Sequence, residues 1–220
     1  TANGGMGGGI YALAPLIATE SLFIVNNTIV ENTGSAYLSE QGGGIAVSIP
    51  PRITGPEPIP DRIVIANNII AHNSSGIFET LTAPMVYPTL VTNDFYANDD
   101  GYTSVPPGAT DLNLDPQFAD KDNLNLRPLS TSPCIDAGDN RYAPAASAVD
   151  YQGNPRIFDG DRDGVATVDL GIYELYFPQP GAVDFDGDRK GDLVVWRPGT
   201  GVWYVRPSGA PGTFTTASWG

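Results

Sequence analysis

Two short stretches of the chain hold carboxylates at spacings suited to a cation. In DFDGDRKGD, residues 184–192, Asp184, Asp186, Asp188 and Asp192 stand at positions one, three, five and nine of a glycine-containing loop, with Lys190 at seven. Alternate residues of a tight loop can turn their oxygens inward, and the Lys190 carbonyl adds another. That is the oxygen-only cage Ca²⁺ takes, with roughly six to eight ligands at about 2.3–2.6 Å. Mg²⁺ fits less well, because it keeps several waters and seldom uses all-protein cages. The competing reading is a bare acidic surface turn, in which four carboxylates within nine residues repel one another.

The second stretch, DGDRDGVATVD at 159–169, offers Asp159, Asp161 and Asp163, with the Val165 carbonyl and Asp169 as later ligands. It begins like a twelve-residue calcium loop of the EF type, but the twelfth position is Leu170 in place of a bidentate Glu. The alternative is a hydrogen-bonded acidic turn that rigidifies its surroundings.

Catalytic chemistry finds less support. The sole histidine, His72, takes the place in its phrase that Glu31 holds in an earlier one, which marks a variable, exposed position rather than a general base. No nucleophile sits in a G-x-S-x-G setting, and no zinc spacing occurs. Cys134, the only cysteine, lies in TSPCIDAGD among small and apolar neighbours and reads as a packing residue; alone, it can form no intrachain disulfide. Charges before residue 101 are scattered and do not recur at one position, as paired carboxylates of a glycosidase or the base of a lyase would require.

The formal charge of −14 opposes binding to nucleic acid or to anionic lipid surfaces, and no run approaches the length of a membrane span. The chain opens without a basic and apolar leader, so an export signal is expected to have been removed or to lie upstream. With 26 Gly and 20 Pro in 220 residues, short strands and tight turns are favoured over helices.

The elements that must carry these loops are visible as repeated phrases. VNNTIVENTG at 25–34 returns as ANNIIAHNSSG at 66–76 and, more loosely, as TNDFYANDDG at 92–101; GGGIY at 7–11 returns as GGGIA at 42–46. Repeats of a few tens of residues mean stacked units that bury their apolar faces against one another. LFIV, TIV, RIVIA and IIA read as short strands on either side of each Asn pair. Asn tolerates the left-handed conformation of a turn, and Asn at one corner of successive units can stack into an amide ladder.

These phrases resemble right-handed parallel β-helix proteins of bacterial secreted type. DPQF at 115–118, SPCIDAGD at 132–139, Asp150 to Arg156 and DLGIYE at 169–174 resemble the closing motifs of the choice-of-anchor, or polymorphic outer-membrane-like, repeat family. After YFPQPG, residues 182–220 resemble one FG-GAP or VCBS-type repeat, the blade unit of calcium-bearing propellers, with LVVW and VWYV flanking the hairpin signal RPGTG. That resemblance implies the same calcium ligands at 184–192, with Arg189 in place of the family's Gly after the third Asp, which weakens the site without abolishing it. Trp196, Trp203, Tyr204 and Trp219 then pack between blades, with sugar stacking as the alternative.

The expected architecture is all-β: a right-handed parallel β-helix with its C-terminal cap over 1–177, a linker at 178–181 and a single blade-like calcium-binding hairpin module at 182–220. The expected function is non-catalytic: an exported, extracellular or cell-surface structural and adhesive protein, a subunit of a self-assembling fibre, held by Ca²⁺. Its partners would be neighbouring copies that complete open strand edges, and surface polysaccharide. The rivals are a β-helix polysaccharide lyase or glycoside hydrolase, and a carbohydrate-binding module.

Overall fold

The computed structural model describes residues 8–14, 21–34, 43–49, 63–80, 87–145, 148–177, 184–186, 191–210 and 212–218. The chain divides into two compact units, Thr1–Tyr176 and Phe177–Gly220. Residues 178–181, expected as a linker, lie outside the described ones.

The N-terminal unit is built on three parallel sheets that the chain visits in rotation. The first contains β1 (Ile10–Leu13), β4 (Ile45–Ser48), β7 (Ile77–Glu79) and β10 (Tyr102–Thr103); the second β2 (Leu22–Val25), β5 (Ile63–Ala66) and β8 (Thr89–Val91); the third β3 (Thr28–Val30), β6 (Ile69–Ala71) and β9 (Asp94–Tyr96). Register stacks like on like. Ile24 pairs with Ile65 and Ile65 with Leu90; Ile29 pairs with Ile70 and Ile70 with Phe95; Ile45 pairs with Ile77. These residues form one core with Val47, Ile49 and Ile63, and each fully buried isoleucine contributes roughly 1.5–3 kcal/mol.

The corners follow from the asparagines. Asn26, Asn67 and Thr92 all adopt positive φ, 53°, 57° and 53°, and so turn the chain between the second and third sheets. The residue after each one forms a rung. Asn27 donates through Nδ2 to Asn68 Oδ1 at 3.0 Å, Asn68 to Asn93 Oδ1 at 2.9 Å, and Asn93 to Asp111 Oδ1 at 3.1 Å. The backbone N–H groups of the same three residues donate to the same oxygens. A second ladder, Asn32, Asn73 and Asn98, follows the positive-φ residues Glu31, His72 and Ala97. His72 thus occupies the same corner as Glu31.

The glycine phrases meet a steric demand. A Cβ on Gly9 would lie 2.6 Å from the Gly44 carbonyl oxygen, and Gly44 and Gly76 meet the carbonyls of Gly76 and Gly101 in the same way. The backbones run too close there for any side chain.

Beyond β10 lies an antiparallel hairpin, β11 (Phe118–Asp120) and β12 (Asn125–Pro128), joined by a 3-10 turn at Lys121–Asn123. The segment 132–175 packs along the corner of the sheets: Gly171 N–H donates to Asn67 O, Ile172 N–H to Thr28 Oγ1, and Asn67 exchanges side-chain bonds with Asp139. The C-terminal unit is an antiparallel sheet of β13 (Leu193–Arg197), β14 (Val202–Arg206) and β15 (Thr215–Ser218), with Gly201 at φ 62° in the first turn. The polar sequence of β15 carried no strand signal.

One carboxylate is out of keeping with its place. Glu79 in β7 shares a register row with Val47, is 1% exposed, and among the described residues neither of its oxygens has a hydrogen-bond partner. Burial pushes its pKa up to about 7; Asp94, wholly buried beside the Cys134 thiol, rises to about 6 for the same reason. A raised carboxyl pKa contributes stability that is complete below the unfolded value and is lost as pH rises through the folded one. Glu79→Gln should therefore come nearest the parent at about pH 4, below the unfolded value, and exceed it at about pH 8 by roughly 1–3 kcal/mol in urea unfolding without divalent cations; equal stability at pH 8 would refute the buried-charge account.

Asn68→Ala should cost about 3 kcal/mol or more in the same measurement. It strips partners from Asn27 N–H, the Ile24 carbonyl and Asn93 Oδ1 together.

Candidate metal centre

In the N-terminal unit, the segment 134–138 runs against 168–170. Leu170 N–H donates to Cys134 O at 2.9 Å and Gly138 N–H to Val168 O at 2.9 Å. Cys134, Ile69, Ala71 and Leu170 form a second apolar cluster beneath this pair. Cys134 is wholly buried and burial raises its thiol pKa well above the usual range, so it packs and does not react.

This pairing holds Asp136, at φ 50°, over the loop 158–167. The loop is closed by the bridge between Phe158 and Thr167 and organised by its own aspartates. Asp161 Oδ1 accepts from Asp163 N–H at 2.9 Å, Asp163 Oδ1 from Val165 N–H at 2.7 Å, and Asp159 Oδ2 from Gly164 N–H at 3.1 Å. Asp136 Oδ2 accepts from Asp161 N–H at 2.6 Å. The result is a group of three carboxylates, Asp136, Asp159 and Asp161, with ligand atoms all within 4.8 Å of one another.

Two atoms in this group stand out. Among the described residues Asp136 Oδ1 and Asp159 Oδ1 are shielded from water and make no hydrogen bond of standard geometry, although the Gly160 and Thr167 N–H groups lie close enough to the Asp136 carboxyl to act on it. Burial raises the Asp136 pKa, and the Asp161 charge adds to the rise. Oxygens this close together could hold a divalent cation between them.

Asp163 and Asp169, both ligand candidates by spacing, fall outside this group of three. Asp163 serves the Val165 N–H, and Val165 itself is 61% exposed. Asp169 is 1% exposed and accepts from Asp136 N–H at 2.8 Å and Leu175 N–H at 2.6 Å. It braces Asp136 from behind. Asp136 lies 25 residues before Asp161, outside any local spacing pattern.

A buried ionic network supports this brace. Arg156 donates to Glu174 Oε1 at 2.9 Å, to Gly171 O at 3.0 Å and to Asn26 O at 3.3 Å. Asp150 accepts from the N–H groups of Gln152, Asn154 and Glu174, and Asp169 N–H donates to Glu174 Oε2. Burial, reinforced by the Asp169 charge, pushes Glu174 up to about 9; burial pushes Asp169 to about 7.

In the C-terminal unit, Asp184, Asp186 and Asp192 form the second group within 4.8 Å. Asp192, at the foot of β13, accepts from Phe185 N–H at 2.6 Å and Ser208 N–H at 2.8 Å, and Asp186 accepts from Gly209 N–H at 3.1 Å. Asp192 thus ties the acidic loop to the turn after β14. Asp188 and Lys190 lie outside the described residues.

The chain matches no family model, no curated protein and no solved structure. The geometry alone therefore carries the functional argument. Both carboxylate groups are knitted to the backbone of their own loops, which suits a cation that holds chain segments together.

Calorimetric titration with Ca²⁺ separates the roles in the N-terminal group. Asp136→Asn should weaken binding there by about tenfold or more, because it removes an inward carboxylate. Asp163→Asn should leave it within about threefold, since that side chain only orders the loop; equal losses in both variants would reject Asp136 as a ligand.

Proposed function

We propose that the chain is a right-handed parallel β-helix followed by a blade-like calcium-binding module, and that it works outside the cell as a structural and adhesive protein. The observation that carries this reading is the pair of shielded oxygens without a standard hydrogen bond, Asp136 Oδ1 and Asp159 Oδ1, at the joint between the 134–138 segment and the acidic loop. A cation there would join two segments that otherwise meet through few bonds. Asp136, Asp159 and Asp161 would hold it in the first unit, and Asp184, Asp186 and Asp192, with Asp188 and the Lys190 carbonyl, in the second. Ca²⁺ would supply charge compensation and rigidity, and weak extracellular sites of this sort commonly bind at about 10⁻⁴–10⁻³ M. The rotation through three sheets supports the β-helix reading, and the stacked amides suit a stiff column.

A second reading has one observation in its favour. An open groove of about 430 Å³ lies along the second ladder, lined by Glu31, Thr33, His72, Ser74 and Asp99 among others. Hydroxyls, carboxylates and an imidazole in one groove suit a sugar chain, as a bound ligand or as a substrate of a lyase or hydrolase. Depolymerisation assays on acidic and neutral glycans, repeated with Asp99→Asn, decide between these and the structural role.

The calcium reading is tested by thermal unfolding. Calcium at tenfold its dissociation constant should stabilise each site's unit by about 1.4 kcal/mol, and a chelator should reverse the gain. Asp136→Asn combined with Asp159→Asn should remove the part belonging to the N-terminal unit. No shift at about 10 mM calcium, or an equal shift with Mg²⁺, would sink the reading.

A further inference from the structure

The sheet β13–β14–β15 has two faces, and its register assigns residues to them. Directly opposed residues of an antiparallel pair share a face. Val194, Val205, Trp196 and Trp203 lie on one side, where the two indole rings pack at 5.0 Å and Val205 is 4% exposed. The other side carries Leu193 opposite Arg206, Val195 opposite Tyr204, and Arg197 opposite Val202. Leu193 and Val195 are 58% and 50% exposed there. The Arg197 guanidinium lies 5.1 Å from the Tyr204 ring centre. This face has an apolar middle, an arginine towards each end and no carboxylate among its six residues on β13 and β14.

Its composition favours a protein over a glycan. Arginine and tyrosine around an apolar centre are enriched where proteins meet. A sugar would need an open ring face, and Arg197 lies over that of Tyr204.

Charge selects the occupant. Between Phe177 and Gly220 four acidic and four basic residues cancel, so the whole formal charge of −14 belongs to the N-terminal unit. Two copies meeting through this same face would bring together four arginines and no carboxylate from β13 and β14, which disfavours the symmetric arrangement. A complement exists at the tip of hairpin β11–β12. Leu124 there is 68% exposed and follows Asp120 and Asp122, and the Asp122 side chain is 88% exposed. Lys121 bridges Glu31 at 2.5 Å and Asp122 at 3.1 Å, so Asp120, Lys121 and Asp122 together leave the tip with one net negative charge.

We propose that the face formed by Leu193, Val195, Arg197, Tyr204 and Arg206 of one copy docks the Asp120, Asp122 and Leu124 tip of a second copy. This inference rests on the reading of the chain as an assembling structural protein and gives that assembly its contact. The contact is heterologous, so it joins copies head to tail, in a ring or an open chain. A three-stranded face about five residues long covers only a few hundred Å², against about 800 Å² per partner in a standard stable interface. Each contact is therefore weak, and assembly depends on concentration.

Analytical ultracentrifugation of the full chain, in saturating calcium and from about 10 to about 1,000 μM, tests this. The average mass should climb with concentration. Arg197→Glu and Asp122→Arg, each on an exposed side chain, should each weaken association by about tenfold or more, and an equimolar mixture of the two should restore it by the swapped pair. A constant monomer mass, association indifferent to both reversals, or a mixture no heavier than its components would overturn the proposal. So would a monomer whose binding to a soluble uronate polymer is lost in Arg197→Glu. A monomer that calcium still stabilises rejects this contact and leaves the calcium reading standing.

Discussion

An amide stacked on an amide has a donor end and an acceptor end, so a column of asparagines has a direction. Asn68 and Asn93 each receive two N–H bonds at Oδ1 and pass their own Nδ2 onward, and Asn68 also donates to the carbonyls of Ile24 and Ala66. Neighbouring corners must therefore repeat in conformation as well as in residue type. The positive φ of Asn26, Asn67 and Thr92, the isoleucine rows below them and the glycines that let backbones approach are all consequences of that repetition. Asp111 ends the column because a carboxylate only accepts. Its Oδ1 takes the Asn93 bonds while its Oδ2 takes Gly108 N–H and Tyr102 Oη–H, so the last rung turns its bonding inward to its own loop.

The same corner anchors the irregular half of the N-terminal unit. Asn26 and Asn67 are buried polar residues whose side chains bond Asp169 O and Asp139, and Arg156 reaches Asn26 O. The polar corner that would otherwise face water becomes the docking strip for 132–175. The buried apolar side chains described there are Cys134, Ile135, Val168 and Leu170, and carboxylates that accept backbone N–H groups hold much of the segment. Such a joint gathers carboxyl groups around a buried guanidinium, and burial raises the pKa of Asp136, Asp169 and Glu174 within it. Asp136 and Asp159 face each other at its outer margin, where a divalent cation would offset their charge.

Much of this architecture was legible because it is periodic. The Asn pairs, the apolar triplets around them and the GGGI phrases repeat, and each repetition has a steric or hydrogen-bonding cause acting between neighbouring passes of the chain. The hairpin at 197–202 was legible from its turn residues. What was not legible is what depends on contacts between distant, unrepeated segments. Asp169 fits a calcium spacing on paper, yet its two oxygens are taken by backbone N–H groups and Asp136 stands in the carboxylate group instead. No local pattern ranks Asp136 above Asp139 in IDAGD: one turns toward the acidic loop, while the other binds Arg141 and Asn67. Glu79 likewise sits in an ordinary strand phrase, and only the register beside Val47 reveals that its carboxyl is sealed in.

The two acidic loops solve one problem with different scaffolds. In the first, aspartates order the loop by accepting N–H bonds from their own near neighbours, and only Asp136 is brought from outside. In the second, Asp192 begins a strand, and its two oxygens reach the loop before it and the turn after the next strand. A carboxylate in that position couples the loop geometry to the pairing of β13 with β14, so an ion held by Asp184, Asp186 and Asp192 would brace the sheet through a single side chain. That sheet places its indole pair and Val205 on one face and leaves Leu193 and Val195 uncovered on the other. Stiffening at Asp192 would hold the uncovered face flat, and a small contact face gains affinity chiefly when it need not be ordered on binding. Calcium and assembly would then be linked through the same strand, with Asp192 at its foot and Arg197 at its far end.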